Sequence, residues 1–309
     1  MVLDPILQQL AENAKAAGAP THELSPVDAR AGYYLFSTIL GPGPEIGDIE
    51  DIILDSGLKL RVYQPKTMPA LGVAVFYHGG GWTIGSIETH DRECRLICDQ
   101  SQCVIISVDY RLGPEHPFPA AWEDAYRAAK WAAAHRSEWT HSTSGIAVIG
   151  DSAGGNLAAA VSLMARDDLE LDISLQLLIY PCLDLREDQS YPSMVEHAMG
   201  PFLLKASIDY FIGHYLSDRQ QAAEDARISP ILAESVAGLP KTYLATAEFD
   251  PLRDQGYAYY QRLKQAGVEV SYEQYDGMSH VFFQMSPILP AAQKLIAKLS
   301  DELRTQLSR

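Results

Sequence analysis

The stretch VIGDSAGGNLAAAVSLMA, residues 148–165, sets one serine, Ser152, between Gly150 and Gly154, where a β-branched apolar run meets an Ala- and Leu-rich helical pattern. A serine in that position can cap a helix, which asks only for a side-chain oxygen. The same five residues match G-x-S-x-G, a strained strand-to-helix turn that holds a hydroxyl out for nucleophilic attack. A five-residue match is weak by itself, and its place between a strand pattern and a helix pattern gives it weight. The glycines leave room for the turn and for a substrate, and the first turn of the following helix offers backbone N–H groups of partial positive charge. Ser152 therefore reads as a nucleophile for acyl transfer rather than as a cap alone.

A carbonyl attacked by that hydroxyl becomes an oxyanion and needs donors. YHGGGW, residues 77–82, follows an apolar strand pattern and exposes successive backbone N–H groups without side chains. Gly80 and Gly81, with the N–H of Ala153, are the candidate oxyanion hole. A phosphate loop would want the Lys and Ser/Thr of Walker A or the G-x-G-x-x-G spacing, and neither occurs here. His78 reads as a structural histidine shaping this loop. The hydroxyl also needs a base, and three histidines follow it: His197, His214 and His280. His280, in YDGMSHVF between the last strand pattern and the last helix pattern, is where a base can reach over the strand ends. The orienting acid belongs after the preceding strand, and TYLATAEFDPLRD offers Glu248, Asp250 and Asp254. Asp250, just past the strand and before Pro251, is preferred; a helix N-cap is its alternative role, and Asp254 is the alternative acid. Asp276 lies on the histidine's own loop, too near in sequence to face its Nδ1.

These groups must be carried by a scaffold. A strand pair, IEDIILDS and LKLRVYQP, is followed by GVAVFYH, CVIISVDY, GIAVIG, SLQLLIYP, KTYLATAE and VEVSYEQYD, several of them continuous apolar runs. Helical patterns near 89–101, 119–136, 152–166, 251–266 and 286–305 alternate with them, which implies a mostly parallel sheet wrapped by helices. Two segments fall outside that rhythm. Helices are expected over 2–17, with an apolar stripe of Leu3, Ile6, Leu7 and Leu10, and over 26–38, opened by Ser25 and Pro26. Residues 184–238 separate two strands by more than a crossover needs and hold a helix near 203–216. The expected organisation is N-terminal cap helices over 1–45 and a catalytic domain over 46–309, interrupted by a cap insertion at about 184–238, the two cap segments covering the strand ends.

The 309 residues are 47% hydrophobic, ordinary for a globular chain, and carry a formal charge of -16. So acidic a chain is a poor binder of nucleic acid or anionic membrane, and neither is expected as a partner. Cys94, Cys98, Cys103 and Cys182 form no C-x-x-C pair, and no metal site is expected. The first residues lack the basic start and apolar core of a signal peptide, no stretch of 18 apolar residues occurs, and the cytoplasm is the expected location. A homodimer is compatible with the sequence but not required by it.

The chain resembles the bacterial esterases related to hormone-sensitive lipase, within the α/β-hydrolase fold. The resemblance is carried by HGGGW at 78–82, VDYRLGPEHPFPAAWED at 108–124, GDSAGGNLAAA at 150–160, EFDPLRDQGYAY at 248–259 and GMSHVF at 277–282, in family order across residues 50–300. It implies Ser152 as nucleophile, Asp250 as acid, His280 as base, Gly80, Gly81 and Ala153 at the oxyanion hole, and a helical cap. One departure is Val281, where many relatives have glycine after the histidine; it narrows that loop and leaves the base in place. Trp82, Phe202 and Val281 are candidate pocket walls, while Arg111, Glu115 and His116 in the proline-rich loop read as structural. The expected activity is hydrolysis of short to medium acyl esters by a Ser-His-Asp triad through an acyl-enzyme, with a small-molecule ester and water as reactants and no metal or cofactor. Amide, lactone or carbamate hydrolysis by the same triad, or a non-catalytic receptor on the fold, are the alternatives.

Overall fold

Alternation of apolar residues on strands covered from both sides explains the architecture. The computed structural model describes residues 2–308. In it β1 (Asp48–Ile53), β2 (Lys59–Gln64), β3 (Val73–Tyr77), β4 (Val104–Asp109), β5 (Ile146–Asp151), β6 (Ile173–Ile179), β7 (Lys241–Phe249) and β8 (Val270–Ser279) form one sheet in the order β1-β2-β4-β3-β5-β6-β7-β8. The first two strands pair antiparallel, as does β2 with β4, and every other pairing is parallel. This is an α/β-hydrolase fold, a mostly parallel sheet flanked by helices.

Successive residues of a strand point to opposite faces. On β3, Val73, Val75 and Tyr77 join one core, while Ala74 and Phe76 join the other. The first core is closed by α4 (Ala120–His135) and α5 (Ala153–Ala165), whose small residues Ala125, Ala128 and Ala158 let the helices approach closely. The second is closed by α3 (Asp91–Ser101), through Cys94, Ile97 and Cys98, and by α9 (Pro290–Leu307), through Leu295, Leu299 and Leu303. Both faces of the central strands are thus dry, which is why β3, β4 and β5 read as continuous apolar runs.

From β3 the chain winds outward to β4, whereas from β5 it winds the other way to β6, β7 and β8. The strand order reverses between β3 and β5, and a crevice opens at the carboxyl ends of strands on either side of such a switch point. The glycine loop leaves β3 there and the serine turn leaves β5.

The outlying segments hold α1 (Pro5–Ala17), α2 (Pro26–Ile39), α6 (Pro192–Glu196) and α7 (Lys205–Tyr215), and α8 (Arg253–Gln265) follows β7. Ser25 caps α2 by accepting from the N–H of Asp28, with Pro26 at the first position, as its sequence requires. Two expectations are corrected, and one helix carries no signal in the sequence. Of the expected α1 stripe, Leu7 is buried in the core that contains Met278 and Phe282, and Leu3 and Leu10 pack against it, but Ile6 is 41% exposed and Ala11 is buried in its place. The short helix α6 has no periodic signal in so few residues. β8 continues to Ser279, which pairs with Phe249 after a register shift, so His280 directly follows a strand rather than standing in a loop. Among the described residues no helix is long and apolar enough to cross a membrane.

Candidate active site

Ser152 is the residue between β5 and α5, and its backbone is at φ 55, a conformation that costs a side-chain-bearing residue about 1–3 kcal/mol. The surroundings impose it. The N–H of Ser152 donates to the Ile179 carbonyl at 2.9 Å, and its own carbonyl accepts from Asn156 and Cys182, each at 3.1 Å. The flanking glycines are obligatory: a Cβ on Gly150 would lie 2.1 Å from the Gly154 carbonyl oxygen, and one on Gly154 would lie 1.9 Å from that of Tyr77. The Ser152 side chain makes no capping hydrogen bond. Its Oγ instead lies 2.9 Å from His280 Nε2.

His280 is buried, and its Nδ1 lies 2.7 Å from Oδ2 of the fully buried Asp250. The other carboxylate oxygen of Asp250 accepts the N–H of Leu252 at 2.8 Å, so the residue orients the imidazole and starts the turn into α8 at once. The ring of Tyr180 lies 4.5 Å from that of His280 and limits its swing. The other acids point elsewhere. Asp254 accepts the N–H of Ser193 at 2.8 Å and pairs with Arg253, Glu248 holds Gly277, and Asp276 is exposed beside Gln274.

Gly80 and Gly81 have φ of 120 and 57, backbone that favours glycine. A Cβ on Gly81 would sit 2.2 Å from the Phe211 ring of α7. Ala153 is the first residue of α5, where a helix leaves its N–H groups unpaired. All three residues line the same pocket as Ser152 and His280. Gly79 N–H donates to Asp151 Oδ1 at 2.7 Å, which ties the glycine loop to the residue preceding the serine. His78 donates from Nδ1 to the Gly79 carbonyl at 2.8 Å and stacks on Tyr110 at 4.2 Å. Burial, then repulsion from His90, lowers its pKa to about 3, so it is a neutral structural group that shapes the loop.

The pocket has a volume of about 180 Å³ and is mainly apolar. Trp82, Phe202 and Val281 line it, and Trp82 also stacks on Tyr215 at 4.4 Å as part of the core. The sequence pattern missed Tyr33 and Phe36 of α2 and Phe211 of α7, which complete the walls. No residue of α1 lines the pocket among the described residues, so the α1 stripe does not cover the site directly.

Arg111 and Glu115 do not pair with each other. Arg111 forks onto Asp124, while Glu115 takes both terminal nitrogens of Arg30, at 2.8 and 2.6 Å. Arg30 also donates to the Thr83 carbonyl at 2.8 Å, fastening α2 to the glycine loop. Such a clamp has no signature in spacing, since its members lie far apart in the chain.

Comparison with known proteins agrees with this fold. Residues 74–284 match the model of a family described as having the alpha/beta hydrolase fold. The chain is 38% identical to the carboxylic ester hydrolase LipN of Mycobacterium tuberculosis, over 99% of this chain and 84% of that one. It is 32% identical to the ethyl acetate hydrolase of Pseudomonas putida, over 99% and 100%. The solved structure of a hyperthermophilic esterase from the archaeon Pyrobaculum calidifontis superposes with a TM-score of 0.94 at 38% identity, covering all of both chains.

Proposed function

Because the chain belongs to this α/β-hydrolase family of hormone-sensitive-lipase-like esterases, we propose that it hydrolyses carboxylic esters through Ser152, His280 and Asp250. The observation that carries the reading is the continuous chain from Ser152 Oγ to His280 Nε2, 2.9 Å, and from Nδ1 to Asp250, 2.7 Å, beside the unshielded N–H groups of a glycine loop. Ser152 attacks the acyl carbon while His280 takes its proton; Asp250 fixes the imidazole tautomer and stabilises the imidazolium. The N–H groups of Gly80, Gly81 and Ala153 receive the developing oxyanion. His280 then protonates the leaving alcohol. Water then attacks the acyl carbon of the acyl-enzyme while His280 takes its proton, the bond from the acyl carbon to Ser152 Oγ breaks to release the acid, and His280 returns the proton to Ser152.

The finer substrate class is short to medium acyl esters. It is supported by the limited pocket, walled by Phe36, Trp82 and Phe211, and by a relative named for ethyl acetate. Residues 1–45 and 184–238 act as the cap over this pocket, through Tyr33 and Phe36 from the first and Phe202 and Phe211 from the second. A cytoplasmic location is supported by four free, buried cysteines.

The test is hydrolysis of a p-nitrophenyl ester series from acetate to palmitate, with the matching anilides. The parent enzyme should prefer acetate to octanoate and leave anilides nearly untouched. Ser152→Ala should stay folded and lose about a thousandfold or more in kcat. Turnover of palmitate above butyrate, or an active Ser152→Ala protein, would refute the assignment.

A further inference from the structure

A second group of titratable side chains lies under the serine turn and takes no part in the proton transfers above. His90 is wholly buried. Its Nε2 lies 3.3 Å from Asp151 Oδ1, and its Nδ1 lies 2.9 Å from Thr89 Oγ1. Its ring packs among Phe76, His78 and Tyr33, at 5.7, 5.7 and 6.2 Å between centroids. Glu93, also buried, is the other acid of this group.

Asp151 is the bridge between the two halves of the site. It immediately precedes Ser152, it is buried, and its Oδ1 accepts the Gly79 N–H at 2.7 Å. The fit is close: a Cβ on Gly79 would lie 2.4 Å from Asp151 Oδ2. Gly80 and Gly81 follow directly. A displacement of the Asp151 carboxylate would therefore move the oxyanion donors relative to the nucleophile. A buried carboxylate stays in place only with a compensating charge and hydrogen bonds. Among the described residues the Asp151 carboxylate is met by the Gly79 N–H and by His90, His78 nearby being neutral.

We propose that His90 is a positioning residue for ester hydrolysis: it pins the Asp151 carboxylate against the Gly79 N–H and so sets the distance between the glycine-loop donors and Ser152. The inference rests on the reading of Gly80 and Gly81 as the oxyanion hole. Burial disfavours a charged His90, but attraction to Asp151, contact with it, and attraction to Glu93 together raise its pKa. The charged form is the one that compensates Asp151. The same turn is tied to the pocket wall, since the Thr89 carbonyl accepts from Gln284 at 3.2 Å and Gln284 accepts the Tyr33 hydroxyl at 2.7 Å.

The test compares His90→Phe, which keeps a flat ring but no donor, with His90→Gln, which keeps an N–H donor. Kinetics on p-nitrophenyl butyrate are read beside circular-dichroism melts. For His90→Phe a fall of about tenfold or more in kcat is expected, with KM held within about twofold, because donors used in the transition state are misplaced while the apolar pocket is unchanged. His90→Gln should recover most of that loss. In a cycle with Asp151→Asn, the double variant should be no worse than the poorer single one, because His90 acts through Asp151. The proposal is overturned by parental kcat in folded His90→Phe, by equal losses in the Phe and Gln variants, by a loss confined to KM, or by additive effects in the cycle. Should His90→Phe not fold, Asp151→Asn carries the test, and parental kcat there overturns the proposal. Ser152→Ala is run alongside: activity in that variant refutes the ester-hydrolase mechanism itself, whereas an inactive Ser152→Ala with a fully active His90→Phe refutes the role of His90 alone.

Discussion

Asp250→Asn tests the acid in a way the geometry makes specific. In the parent protein Asp250 Oδ1 accepts the Leu252 N–H at 2.8 Å and Oδ2 faces His280 Nδ1 at 2.7 Å. An asparagine has one oxygen and one NH2. Its oxygen is claimed by the Leu252 N–H, which leaves the NH2 pointing at Nδ1. The imidazole must then accept at Nδ1 and carry its proton on Nε2, where it cannot take the proton of Ser152. The loss follows from the wrong tautomer rather than from unfolding, and such a loss is roughly ten-thousandfold in kcat, or about 5 kcal/mol of transition-state stabilisation. Asp254→Asn is the control. Its carboxylate accepts from Ser193 and pairs with the partly exposed Arg253, a pairing worth about 0–1 kcal/mol of stability, and it does not touch His280. Steady-state hydrolysis of p-nitrophenyl butyrate, with a melt for each variant, separates the two. Equal losses in both variants, or a folded Asp250→Asn protein with more than about a hundredth of parental kcat, would refute the tautomer argument.

Gly81→Ala should lower kcat about a hundredfold, because the new Cβ would sit 2.2 Å from the Phe211 ring at a φ of 57 and must push the donor loop by a sizeable fraction of an ångström. Adding Phe211→Ala should recover part of the loss, and full activity in Gly81→Ala alone would contradict the assignment. Glu93 gives a pH signature in stability. Burial raises its pKa from 4.5 to about 7, so the folded state holds more protons than the unfolded state between those values, and stability falls as pH rises through that window, by on the order of 3 kcal/mol. Glu93→Gln should remove this slope. Its Tm relative to the parent should be higher at pH 8 than at pH 5, and an equal difference at both would rule the effect out.

The parts of the site legible in the sequence are those whose function demands a local pattern. Ser152 needs a turn that only flanking glycines permit, so the turn is written in five adjacent residues. Asp250 and His280 must stand where β7 and β8 end, and strand ends can be read from apolar runs. The choice of Asp250 over Asp254 followed from the same logic, one residue past a strand against one turn into a helix. What was not legible depends on contacts between elements. Arg30 reaches Thr83 and Glu115, Tyr33 reaches Gln284, and His90 reaches Asp151. None of these pairs has a spacing that a folded backbone imposes, so each looks like an ordinary surface or core residue until the sheet brings its partner near. The exposure of Ile6 was not legible for the same reason: Leu7 and Ile6 are equally apolar, and only the docking of the helix beside Gly277 decides that Leu7 is buried while Ile6 faces out.

The same division explains why the proposed mechanism and its support differ in kind. Proton transfer requires three side chains at the ends of β5, β7 and β8, and the parallel sheet delivers them whatever the loops contain. The proposed oxyanion donors have no such guarantee, since Gly80 and Gly81 have no side chains to pack and sit in backbone that few residues adopt. Their position must be enforced from outside, by Phe211 pressing on Gly81, by Arg30 holding the Thr83 carbonyl, and by Asp151 gripping Gly79. Each restraint comes from a different element, α7, α2 and the end of β5 respectively. A loop held at three points stays preorganised when a substrate carbonyl enters, and preorganisation of donors is where electrostatic stabilisation of an oxyanion arises. Variants at Phe211, Arg30 and Asp151 should therefore lower kcat more than they raise KM, although Phe211 and Asp151 line the acyl pocket, and a predominant rise in KM at Arg30, which does not line it, would show that the loop serves binding rather than the transition state.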